Sequence, residues 1–145
     1  MTVQRQIKRA TLRGVIIFLI ILLPAPASAN IWISYWRSSD SDSYYDPVTI
    51  RKVDDEIEVD VLTDYDGVIE RPKGVRFLSM TGLERYHCVN ETFSFVSVYV
   101  WEAPMGKGKL VDSQEKSTVK DIGIVPGTNA AKLFEILCKQ KVVNK

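Results

Sequence analysis

Few residues in this chain have the types and spacing that chemistry needs, and the adjacent pair His87-Cys88 is the most suggestive. A thiol next to an imidazole is the nucleus of a cysteine nucleophile. Successive residues of a strand point to opposite faces, so in an extended segment these two side chains diverge. His87 is also the only histidine, and the only cysteines, Cys88 and Cys138, form no C-x-x-C, so a thiolate zinc site lacks its ligands. Glu56, Glu58 and Asp60 could be taken for a calcium site, which needs six or more converging oxygens. Alternate strand residues project in a row and do not converge, which predicts a solvated strand face. "MGKGKL" lacks the G-x-x-x-x-G-K-[ST] spacing of a phosphate loop. Asn90-Glu91-Thr92 has the form of a glycosylation acceptor, which carries no weight in a bacterial-type export context. No carboxylate pair, serine elbow or metal cluster assembles, so the chain reads as neither an enzyme nor a cofactor protein.

What remains is charge placed on turns. Arg71, Lys73 and Arg76 surround "RPKGVR", and Lys107 and Lys109 lie in "PMGKGK". Such residues are either plain solvated turns or a cationic rim for acidic proteins or sulphated glycans.

The elements that position them follow from the order of the chain. Residues 1–29 carry Arg5, Lys8, Arg9 and Arg13 with no acid, an aliphatic run from Val15 to Leu23, and Ala27-Ser28-Ala29. That is the form of a secretory leader cut after Ala29. The run is about half the roughly 20 residues needed to cross a bilayer. No cysteine follows the cut, so a lipid anchor is not expected, and the product is exported to the periplasm or medium. Four of the 19 Lys and Arg lie in the leader, so residues 30–145 carry 15 against 18 Asp and Glu, a net of −3. That balance argues against a nucleic-acid partner. Residues 30–145 then form one domain with a modest core. Cys88 and Cys138, an even count in an exported chain, predict one disulfide between them.

The periodicity is mostly that of strands. "SDSYYDPVTIRK" reads as a sheet corner, with Tyr45 and Ile50 in the core and Asp46-Pro47 turning the chain. Tyr44 or Arg51 would be the residues of a contact surface there. Asp54-Asp55 makes a hairpin turn, and Ile57, Val59 and Val61 alternate with the acids. Residues 75–88 and 92–101 pair, the second segment apolar on both faces, and short strands follow at 109–114 and 119–124. After Pro126-Gly127, Thr128 can cap a helix whose stripe is Ala130, Leu133, Phe134, Leu137 and Cys138, closed by Lys139 and Lys141.

"YYDPVTIRK", then "VLTDY", "YHC", "APMGKG", and "PGT" before a helix ending in cysteine occur in that order over residues 32–138. This pattern resembles the bacterial surface-adhesin protein E-like domains. The resemblance implies an α+β fold: an antiparallel sheet of about six strands with one C-terminal helix disulfide-tied to one face. It also implies non-enzymatic binding of matrix proteins, and homodimers. Two departures stand out: the founding adhesin is lipid-anchored, and relatives often have an Asn-Gly-like turn where this chain has Asp54-Asp55. The alternative function is a soluble periplasmic structural or envelope-associated protein with no host ligand.

Overall fold

A computed structural model describes residues 30–116 and 118–139. The leader and Lys141 lie outside these residues. Eight strands form one antiparallel sheet: β1 (Ile33–Arg37), β2 (Ser41–Tyr45), β3 (Arg51–Val53), β4 (Glu56–Arg71), β5 (Val75–His87), β6 (Thr92–Ala103), β7 (Lys107–Gln114) and β8 (Ile122–Gly123). They occupy six positions in the order β1-β2-β4-β5-β6-β7, with β3 also on β4 and β8 also on β6. The helix α1 (Asn129–Phe134) continues into a π-type turn, Glu135–Lys139.

β2 and β3 share one edge of β4, Tyr45 facing Val61 and Arg51 facing Glu58. The corner between them, Pro47–Thr49, is a single 3-10 turn. The buried Asp46 holds it: Oδ1 accepts from the Val48 amide at 3.0 Å and Oδ2 from the Ile31 amide at 3.1 Å. Thr49 Oγ1 donates to the Asp46 carbonyl and accepts from the Asp60 amide, both at 2.9 Å. Because the corner turns its polar groups inward, its apolar residues face out. Ile50 is 40% exposed and does not fill the core, contrary to the expectation from sequence; Tyr45 does pack against it.

The two long hairpins use one turn design. Pro72-Lys73-Gly74 and Pro104-Met105-Gly106 each place the middle residue and the glycine at positive φ: +70° and +73° in the first, +58° and +67° in the second. Proline fixes the entry and glycine tolerates the left-handed exit. Asp54, at φ +55°, serves the β3–β4 turn without a glycine. Aspartate is among the few side chains that enter this region readily.

One face of the sheet carries the core. Ile57, Val59 and Val61 of β4, Tyr86 of β5 and Phe93 of β6 meet Leu133, Phe134 and Leu137 of the helix. Thr128 Oγ1 accepts from the Ala131 amide at 3.2 Å, starting the helix at the expected residue. The helical segment ends in a wider π turn, which carries Cys138. Cys138 is bonded to Cys88, just past the end of β5, with Cα atoms 5.5 Å apart. Closing a loop of 50 residues removes on the order of 4 kcal/mol of unfolded-chain freedom in the entropic account. Lys139 Nζ lies 5.7 Å from the Phe134 ring centre.

The opposite face is covered only in part, and β6 is therefore not buried on both sides: of its residues only Val100 is fully buried. Here the Pro104–Gly106 turn folds back over the sheet. Ser79 Oγ donates to the Ala103 carbonyl at 2.6 Å and accepts from the Gly106 amide at 2.9 Å, and Asp64 Oδ1 accepts from the Met105 amide at 2.7 Å. A Cβ on Gly106 would lie 2.9 Å from Thr81 Cγ2, so the close approach that buries Leu62 needs glycine.

Candidate functional site

β4 runs into β5, and β6 into β7, at the same end of the sheet, because β5 and β6 are antiparallel neighbours. The Pro72–Gly74 turn projects from that end, whereas the Pro104–Gly106 turn folds back onto Ser79 and Asp64, and the cations read from the sequence lie on these turns and the strands that follow them. Lys73 is at the tip of one turn, and Lys107 and Lys109 begin β7 after the other; all three are exposed. Arg76 is exposed on β5, in register with Glu70 of β4. None of these four forms an ion pair among the described residues. Arg71 differs: its guanidinium lies 5.0 Å above the Phe77 ring, and Nη2 donates to Met80 Sδ at 3.5 Å. It is exposed like the others but packs against the sheet as well. Glu70 and Glu102, both exposed, keep this end from being uniformly positive.

At the other end, the residues that invited a catalytic reading are occupied. Cys88 is in the disulfide, and His87 Nδ1 accepts from the Asn90 amide at 3.1 Å, closing the β5–β6 turn. Among the described residues no three His, Cys, Asp or Glu side chains are placed to hold a metal. The acidic row does not form a plain solvated face. Glu58 is 3% exposed, with Oε2 2.6 Å from Arg51 Nη2 and Oε1 2.5 Å from Arg85 Nη2. Burial alone would push its carboxyl up, but the bonds from Arg85 and Arg51 together hold it below the usual range. Arg51 therefore serves an internal bridge, and the alternation of β4 misled because it could not show these partners.

A second buried glutamate was not foreseen. Glu84 of β5 is 8% exposed on the helix side of the sheet, beside Tyr86, whose hydroxyl donates to Oε2 at 2.7 Å. No cation pairs with it among the described residues, and burial pushes its carboxyl up to about 7. The nearby Tyr35 and Tyr86 hydroxyls are pushed far above their usual range by burial, and the Glu84 charge adds to both. One signal was present in the sequence: counting by two from Tyr86 puts a glutamate on an apolar face.

A single antiparallel sheet is thus clamped on one side by its own C-terminal helix and a disulfide. The profile of the surface-adhesin protein E family matches residues 32–139, and the chain belongs to that family. Solved structures agree in fold. One crystal form of Haemophilus influenzae protein E is 17% identical, with a TM-score of 0.59 over 81% of this chain and 94% of that one. Protein E from non-typeable Haemophilus influenzae is 16% identical, with a TM-score of 0.57 over 81% and 82%. No curated protein sequence matches the chain. The family points to a surface-adhesin-like binding protein. Among the described residues no helix is long and apolar enough to cross a membrane.

The Glu84 environment has a consequence for stability. A carboxyl raised from 4.5 to about 7 by folding favours the folded state below the lower value, and that advantage is lost as pH rises through the upper one. Glu84→Gln should therefore gain stability relative to the parent between pH 4.5 and 8, by on the order of 3 kcal/mol. Urea denaturation of both proteins across that range checks it; a constant difference would contradict it.

Proposed function

We propose that this protein is an exported, non-catalytic binding protein whose cationic sheet end recognises acidic matrix proteins or sulphated glycans. In this reading residues 1–29 are a removed leader, residues 30–145 are the functional domain, and two copies pair as a homodimer. The observation that carries it is that Lys73, on one Pro-x-Gly turn, and Arg76, Lys107 and Lys109, on the strands that leave the two turns, are exposed and form no ion pair among the described residues. Exposed cations without internal partners steer anionic partners. The disulfide supports export, because such bridges persist in oxidising compartments. Membership of an adhesin family supports a macromolecular partner. A resident periplasmic or envelope-associated protein without a host ligand is the alternative.

Two measurements test this. Intact mass of the exported protein should begin at Asn30 without lipid, and retention of residues 1–29 would overturn the leader assignment. Binding to heparin or to an acidic matrix protein should weaken steeply as salt rises, since exposed charges are screened over about 10 Å at 0.1 M. Changing Lys73, Arg76, Lys107 and Lys109 together to Ser should weaken binding by roughly tenfold or more and leave the melting temperature nearly unchanged. Arg71 is left intact because its packing on Phe77 would confuse the two effects. Equal binding by the variant, or no saturable binding at low salt, would leave the envelope role standing.

A further inference from the structure

The helix side of the sheet is not filled completely. Between the edge of the sheet and the start of α1 lies a cavity of about 450 Å³, within the size range of small-molecule sites. Trp36, Tyr65, Phe93 and Phe95 contribute aromatic walls, Met80 adds a thioether, and Glu84 lies among them. Phe93 and Phe95 meet edge to face at 5.3 Å, and Phe93 stacks on Tyr86 at 5.6 Å, so these walls are braced.

Glu84 is what distinguishes this cavity from an ordinary packing gap. Oε2 is taken by the Tyr86 hydroxyl, whereas Oε1 bonds to no described protein group and is open to the cavity, since no fully buried side-chain oxygen among the described residues lacks a partner. The other buried glutamate, Glu58, has two arginines. The groups facing Glu84 are the hydroxyls of Tyr86 on its own strand and Tyr35 on β1. Where the helix starts at the cavity wall, Thr128 and Asn129 side chains accept from the Ala131 and Ala130 amides, so those two donors are occupied too. A buried carboxylate without a counter-ion is costly, and aromatic faces attract cations. We propose that this cavity binds an alkylammonium group, held between the aromatic rings with Glu84 as its counter-ion. The group could come from a free amine or from a lysine side chain of a partner, and the chemistry is the same. This site lies apart from the cationic turns, so its failure would leave the proposed macromolecular binding untouched.

The test is titration of the full protein at pH 8 with n-butylammonium chloride, followed by calorimetry and by NMR shifts of the Phe93, Phe95 and Trp36 rings. Butan-1-ol serves as the neutral isostere. Saturable binding at least tenfold tighter than the alcohol, lost in Glu84→Gln and weakened at least tenfold at pH 5, where Glu84 is protonated, is expected. A second variant, Phe95→Leu, should weaken the ammonium more than the alcohol and does not depend on removing a charge. An arm with Nα-acetyl-lysine methylamide, its Nζ left free, separates the sources: tighter binding than butylammonium points to a partner's lysine, weaker binding to a free amine, and both support an ammonium site. Equal affinity for amine and alcohol, unchanged binding in Glu84→Gln, or no saturable binding at pH 8 would overturn it.

Discussion

Leu133, Phe134 and Leu137 pack onto Val59, Val61 and Tyr86, and the Cys88–Cys138 bridge pins that contact at its far end. A single antiparallel sheet has no interior until something covers it, and a helical segment of 11 residues, Asn129 to Lys139, is a small cover. Its own propensity could not hold so short a helix, so its stability is tertiary. The bridge joins the last turn of the helix to the end of β5, the strand that carries Tyr86 and Glu84. The extent of this cover decides what else the sheet must supply. Beyond the helix, Tyr65, Phe77 and Arg71 make a smaller cluster, and on the opposite face the Pro104–Gly106 turn folds back to bury Leu62.

The two buried glutamates show how face and neighbours separate identical side chains. Glu58 projects away from the helix, where β3 and β5 each supply an arginine, so its charge is stabilised. Glu84 projects toward the helix side, where its neighbours are tyrosines and phenylalanines and its charge is penalised. The first is a rivet between three strands. The second is a polar group for which the fold supplies only one partner, and it opens on a cavity.

Much of this architecture was legible from local pattern. Thr128 as the cap, the Leu133-Phe134-Leu137 stripe and the corner at Asp46-Pro47 each follow from residue types at short range, and the pairing of Cys88 with Cys138 from their being the only two cysteines. What could not be read depends on partners distant in sequence. The alternation of β4 shows that Glu58 faces away from Val59, but not that Arg51 and Arg85 cover it. The apolar run of β6 suggests two covered faces, but not that the helix is too short to fill one side or that a turn covers only part of the other. That the β4–β5 and β6–β7 connections leave the sheet from the same end required the strand order, which hairpin signals imply but do not state. The family match on residues 32–139 spans these same motifs, so resemblance and local physics drew on the same residues.

If the helix and its bridge are what make a core from one sheet, they must open only with that core. Native-state amide hydrogen exchange in the oxidised protein measures this directly, because it resolves the opening free energy residue by residue. The account predicts that amides of 133–138 exchange with the same opening free energy as those of Val59, Val61 and Tyr86, as one cooperative unit. Helix amides exchanging through a much cheaper opening, while the sheet stays protected, would contradict it and show a sheet that is stable without its cover.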